Sequence, residues 1–242
     1  MERMSTEREL ASRLLADASS RVVRTVDGLH GDDWNEPSLL PHWTRAHVVA
    51  HLALNAEGMA RALHGVVADD ATGPRPMYDS DEKRDRDITD LATADPAQLR
   101  DRLLAGTTSL NQAIAAIPDG RWETRVERTP GGREIRAGAF PGMRLRELEI
   151  HHVDLGAGYT TSDWSGAFAI HLLNAMVKRL DPPQPFEVRP LDVDRVWRFG
   201  PDGDGVAIVT GPAADLGWWL TGRPAPETLS CSRGELPSIE GW

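Results

Sequence analysis

A single cysteine, Cys231, rules out an internal disulfide in this 242-residue chain. The staple of small secreted domains is missing, so the reducing cytosol is the expected compartment. Cys231 itself reads as a small buried hydrophobe rather than a nucleophile. No apolar run approaches the roughly 20 residues that a bilayer-spanning helix needs. Residues 1–16 are charged and lack the apolar stretch of a secretory leader. Neither a membrane partner nor export is therefore expected. Basic clusters are also missing: 27 Lys and Arg against 37 Asp and Glu leave a net charge of −10. Nucleic-acid binding requires a positive surface, so that class is excluded. An anionic substrate would have to be met by local arginines. There is no GxGxxG or Walker A loop, the Pro130-Gly131-Gly132 turn is too generic to cradle phosphate, and no Ser/His/Asp triad can be argued from spacing.

What is present is helical periodicity, followed by a change of character. Apolar residues recur at helical spacing over 6–29, and Gly31 ends that segment. A loop with Pro37 and Pro41 leads into a second helix, with Thr44 as its N-cap, running to about residue 67. Residues 69–76 form a loop, 80–91 a charged helix, and Asp95-Pro96 opens another helix to about 117. A small hairpin is expected between 120 and 138, then a helix over 139–156 stopped by Gly156-Ala157-Gly158. Four long helices with mostly short connections describe an antiparallel bundle. Beyond it come a helix over 164–180, short strands near 186–188, 195–199 and 206–210, a helix over 213–221 and a strand near 228–232. That tail is α+β. The expected organisation is a helical bundle over 1–160 and a smaller α+β domain over 161–242.

Two helical fragments carry the chemistry: His47-Val48-Val49-Ala50-His51 and Glu147-Leu148-Glu149-Ile150-His151. Residues four apart share a helix face, so Glu147 and His151 can grip one ion. Either His47 or His51 can be the third ligand, and spacing does not choose between them. Two histidines and a carboxylate leave a coordination position open, the pattern of catalytic zinc. Each pair alone is more often a buried histidine or a helix-surface pair. The polar stripe Glu147, His151, Asp154 and the stripe His47, His51, Asn55 on a separate apolar helix weigh against that plainer reading.

The segment from Leu39-Leu40-Pro41-His42-Trp43 through His47 and His51 to Asn55-Ala56 resembles the N-terminal metal motif of mycothiol-dependent maleylpyruvate isomerases. These belong to the wider DinB-like group of thiol-using four-helix bundles. Pro76-Met77-Tyr78 with Arg84 is similar to the same family, as are Arg144-Leu145-Arg146-Glu147 through His151 to Gly156, and Gly222-Arg223 after Trp218-Trp219-Leu220. The resemblance spans nearly the whole chain. It implies zinc held by His51, Glu147 and His151, with His47 left structural or supporting. It implies mycothiol as thiol cosubstrate and a dicarboxylate substrate whose carboxylates and enolate are met by Arg84 and Arg223. Asn55 and Asp154 are the residues expected to bind or orient the cofactors, Asp154 by accepting a ligand's second ring N–H or by positioning solvent. His152 points away from this face, and Trp218-Trp219 is read as core packing.

The implied reaction is addition of the thiolate to the cis double bond of maleylpyruvate. Rotation about the resulting single bond and elimination then give fumarylpyruvate. Arg84 lies in a charged run that could be only a solvated face. Arg223 sits at a helix end, where a cation also complements the helix dipole. If Arg223 reaches the zinc, the second domain completes the site. A cytoplasmic, monomeric isomerase is the expectation. Mycothiol S-transfer to another electrophile, a non-catalytic ligand-binding bundle and, more remotely, a zinc hydrolase are the alternatives.

Overall fold

The computed structural model describes residues 2–68, 75–201 and 206–239. Most of the loop expected over 69–76 lies outside the described residues. The chain divides into two compact units, Met1–Tyr159 and Thr160–Trp242.

The first unit is built on α1 (Glu2–Asp27), α2 (Arg45–Ala68), α3 (Asp81–Ala92), α4 (Pro96–Ala116) and α5 (Phe140–Asp154), with a hairpin of β1 (Arg125–Glu127) and β2 (Glu134–Arg136) before α5. α2 is buried around nearly its whole circumference, from Ala46 to Val66. A helix apolar on all sides belongs at the centre of a bundle, and α2 packs on α3, α4 and α5 while α1 packs on α5. Small residues let α2 and α4 approach closely. A Cβ on Gly106 would stand 3.2 Å from the Ala53 carbonyl oxygen and 3.3 Å from the Ala56 Cβ.

α3 is the opposite case. Ile88 is its one buried residue among those described, and the helix starts because Ser80 accepts the Lys83 N–H at 3.1 Å. Asp95 does the same for α4, accepting the Ala97 N–H at 2.8 Å ahead of Pro96 in the first turn. The hairpin pairs Val126 with Ile135, and both side chains enter the core with Met77, Tyr78, Leu110 and Phe140.

The second unit contains α6 (Gly166–Arg179), β3 (Phe186–Pro190), β4 (Trp197–Phe199), β5 (Ala207–Gly211), α7 (Ala213–Leu220) and β6 (Ser230–Cys231). The sheet order is β4-β3-β5-β6, with β3 and β5 parallel and both edge strands antiparallel. Phe186 stacks on Phe199 with ring centroids 4.8 Å apart and contacts Trp219 at 5.7 Å. Trp218 and Trp219 are both buried. Cys231, expected to be buried, is instead half-buried on the short edge strand. The fold is α+β, a helical bundle followed by a smaller mixed domain.

Candidate metal centre

His51 and Glu147 face each other across the α2–α5 contact, held there by arginines above and below. Arg45, the first residue of α2, donates to the carbonyls that follow the end of α5, at 3.2 Å to Leu155 and 2.9 Å to Gly156. These groups have no partner within the helix, and Gly156 can end it because its φ is +66°. Further along both helices, Arg144 donates to the Leu52 carbonyl at 2.9 Å and to Asn55 Oδ1 at 2.8 Å. The register of α2 on α5 is thus fixed on both sides of the facing pair.

Between these two staples three ligand atoms converge. One from each of His51, Glu147 and His151 lies within 4.8 Å of the others. Glu147 Oε2 is 2.9 Å from His51 Nε2 and 3.5 Å from His151 Nε2. The two imidazoles meet edge to face with centroids 4.5 Å apart. On its other side, His151 places Nδ1 2.8 Å from Oδ2 of the fully buried Asp154. A carboxylate on the second nitrogen fixes both tautomer and ring orientation, as it does for metal-bound histidines.

The electrostatics agree with a ligand set. Burial, helped by the charge of His151, pulls the His51 pKa down to about 4, so the ring is neutral and its lone pair free at pH 7. Burial also presses on His151, but hydrogen bonds to Asp154 and Glu147 outweigh it and raise its value. For Glu147, burial is overcome by hydrogen bonds from His151 and His51, leaving a carboxylate well below its ordinary range. Two histidines and one ionised carboxylate are a donor set suited to zinc. Burial on α2 and α5 limits access by bulk water.

Arg84 is brought to this centre. Its Nη2 lies 3.1 Å from His51 Nδ1, while Nη1 donates to Asp85 at 2.7 Å. The solvated-face reading of its charged run does not hold for this residue. Asn55 stands behind the cluster, 4% exposed, accepting from Arg144 and donating to the Tyr78 hydroxyl at 3.3 Å. His47 lies elsewhere. Its Nδ1 is 2.8 Å from the Thr44 hydroxyl and accepts the Thr44 N–H at 3.3 Å. It occupies the third position of α2, where a capping box carries Glu or Gln. His152 faces α1, 2.7 Å from the Thr25 hydroxyl and stacked on Tyr159 at 3.7 Å. Arg223 belongs to the second unit. There it donates to the Thr221 carbonyl at 3.1 Å and lies 5.7 Å from the Trp218 ring.

Two residues without a role in the sequence reading, Tyr78 and Arg144, emerge beside the centre. Tyr78 is locked by the hairpin: the Met77 and Tyr78 N–H groups donate to the carbonyls of Glu127 and Arg128 at 3.1 and 2.9 Å. Gly58 permits the approach, since a Cβ there would come within 2.9 Å of the Met77 carbonyl oxygen. Arg144 precedes Glu147 by three positions, and that shared helix face, with its place in the family-like segment, is the signal the sequence carries for it.

Comparison with known proteins places the chain in a family. Residues 15–156 match the mycothiol maleylpyruvate isomerase N-terminal domain, and 163–240 match the MDMPI C-terminal domain. Two uncharacterised proteins from strains of Mycobacterium tuberculosis are each 28% identical over 231 residues, covering 84% of this chain and 81% of their own length. Among solved structures, a mycothiol-dependent maleylpyruvate isomerase superposes with a TM-score of 0.85 at 26% identity, over 97% of both chains. A histidine-to-alanine mutant of a mycothiol-dependent maleylpyruvate isomerase gives 0.81 at 26% identity over the same share of both chains. The chain belongs to the mycothiol maleylpyruvate isomerase family of enzymes.

Proposed function

We propose that the protein is a zinc- and mycothiol-dependent cis–trans isomerase that converts maleylpyruvate to fumarylpyruvate. The observation that carries this reading is the convergence of His51, Glu147 and His151 with Arg84 at 3.1 Å from His51, in a chain that matches both family domains. His51, Glu147 and His151 would hold the metal. Bound there, zinc would act as a Lewis acid that keeps the cosubstrate sulfur in its thiolate form at neutral pH.

The chain's own residues do the rest. The thiolate adds to the carbon–carbon double bond conjugated with the keto group, and the electron pair moves onto the keto oxygen as an enolate. The former double bond is now single and rotates. Collapse of the enolate re-forms the double bond in the trans arrangement and expels the thiolate, so no proton or electron is consumed. The developing oxyanion and the two carboxylates need cationic partners in a site shielded from water. Arg84 is the candidate nearest the cluster, and its planar fork suits a carboxylate. Arg223 is the second candidate, with the 161–242 domain completing the active site. Asp154 keeps the His151 ring oriented, and Asn55 holds the Tyr78 hydroxyl behind the cluster.

The test is turnover of maleylpyruvate to fumarylpyruvate by zinc-loaded protein with mycothiol, measured beside a panel of other electrophiles. Arg84→Ala and Arg223→Ala should each abolish most turnover while retaining zinc. Folded, zinc-loaded protein that conjugates mycothiol to another electrophile and leaves maleylpyruvate untouched would be an S-transferase instead.

A further inference from the structure

A groove lies between α2, α3 and α4, separated from the candidate metal centre by Arg84, which lines it and reaches His51. Its nearer part is a cavity of about 300 Å³ that has Tyr78 and Arg84 in its wall. A second hollow of about 420 Å³ adjoins it, sharing Leu54, Lys83, Asp87 and Arg102. On α2 the groove follows Leu54 and Gly58, three and seven positions after His51 and on the same helical stripe. Seven residues at 1.5 Å rise carry it about 10 Å from the cluster. That is comparable with the reach from a cysteine sulfur through its carbonyl to an amide-linked sugar.

The lining is polar, and its charges are already closed into pairs. Arg102 grips Glu57 with Nε and Nη2, at 2.6 and 2.9 Å, and Lys83 meets Asp87 at 2.6 and 2.9 Å. Arg61 donates to the Met77 carbonyl. A dicarboxylate entering here would face Glu57, Asp79 and Asp87 and would have to break those pairs. A neutral polyol meets no such opposition. Each hydroxyl both donates and accepts, which matches a wall where carboxylate acceptors alternate with guanidinium and ammonium donors. The one cation of the cavity turned toward the metal centre is Arg84, at the end where the sulfur would lie.

We propose that this groove binds the neutral polyhydroxyl glycoside portion of the thiol cosubstrate, with Glu57 and Asp87 as specificity-determining acceptors. The assignment rests on the proposed function for the identity of the thiol. It divides the labour of the site, leaving the groove to select the sugar-bearing thiol and the arginines to select the dicarboxylate.

The experiment is calorimetric titration of the full-length, zinc-loaded protein with two unreactive probes, S-methylmycothiol and N-acetyl-S-methylcysteine methylamide, which lacks the sugars. The unmodified protein should prefer the first strongly. Glu57→Gln and Asp87→Asn, on different helices, should each shrink that preference about tenfold, the effect of losing one hydrogen bond to a charged group. General damage to the fold would weaken both probes in parallel and leave the preference intact, and that result overturns the assignment. So does an unmodified protein that binds the two probes equally. Lys83→Gln, at an exposed position, replaces either variant that fails to fold. Sugar-dependent binding without turnover of maleylpyruvate would sink the proposed reaction while upholding the groove.

Discussion

The Arg144 guanidinium donates to Oδ1 of Asn55 at 2.8 Å in a place that solvent does not reach, with the two residues 1% and 4% exposed. Two further Arg144 donors, Nε and Nη2, are buried and have no hydrogen-bond partner among the described residues. Burial lowers its pKa to about 10, against the pull of Glu147 and Tyr78. Removing this cation leaves two buried acceptors, the Leu52 carbonyl and Asn55 Oδ1, without their donor. Arg144→Met should therefore lower the unfolding free energy by about 2 kcal/mol, the cost of leaving such acceptors unpaired. The α2–α5 register also loosens, and zinc affinity should fall about 10- to 100-fold, as when the support of a ligand is removed. Denaturant unfolding of the metal-free protein and competition with a chelator measure the two separately. A destabilised variant with unchanged zinc affinity would show that the cation holds the bundle rather than the centre.

The two histidines of the first fragment should part company. His51→Ala and His151→Ala should each leave the purified protein without stoichiometric zinc. His47→Ala should retain the metal and lose about 1 kcal/mol of stability, the cost of a helix cap. Metal analysis after dialysis, paired with thermal melting, decides this. Zinc lost from His47→Ala as readily as from His51→Ala would contradict the placement of His47 on Thr44.

Acid should weaken the metal-free protein through His51. The folded ring has a pKa of about 4 and the unfolded one the ordinary 6.5, so its contribution is full above 6.5 and is lost as the pH falls toward 4. That difference corresponds to on the order of 3 kcal/mol. Glu147, also depressed, adds a loss below its ordinary 4.5. His151 has the opposite sign. Its raised value gives stability that is fully present below 6.5 and lost as pH rises through the folded pKa, so it does not offset the acid-side loss. Melting temperatures of the metal-free protein should therefore drop between pH 7 and 4.5 more steeply than those of His51→Gln. Parallel curves would rule His51 out as the cause.

Gly58→Ala should act on Tyr78 rather than on the metal. The added methyl meets the Met77 carbonyl at 2.9 Å and the Tyr78 ring at 3.1 Å, an overpacking that costs about 1–3 kcal/mol. Denaturant midpoints should shift accordingly while zinc content stays at one equivalent. Unchanged stability would mean that the 77–78 segment yields freely.

The bundle was legible because its signals were local. Ser80, Asp95-Pro96 and Gly156 stand where caps and stops belong, and the periodicities of α1, α2, α4 and α5 survive into the structure with small shifts of boundary. The strand expected over 195–199 shortens to Trp197–Phe199, because only that stretch pairs with β3. The centre was half legible. Spacing gave Glu147 with His151 but left His47 and His51 equivalent, since both lie one turn apart on the same stripe. What separates them is the Thr44 cap, a contact that periodicity does not encode. Arg84 looked like surface in its charged run, and only the packing of α3 on α2 turns it toward His51. Tyr78 and Arg144 were legible as residues and mute as roles, because each depends on partners far away in sequence.

The hairpin gives this enzyme a remote adjustment. Tyr78 is pinned to backbone groups at Glu127 and Arg128, whereas the proposed metal ligands hang from α2 and α5. Insertions or substitutions in the exposed turn at 130–132 can therefore shift the cavity wall that carries Tyr78 while leaving the proposed ligands where they are. A directed-evolution library confined to that turn would explore substrate preference at little risk to metal loading, and natural variants could diverge by the same route.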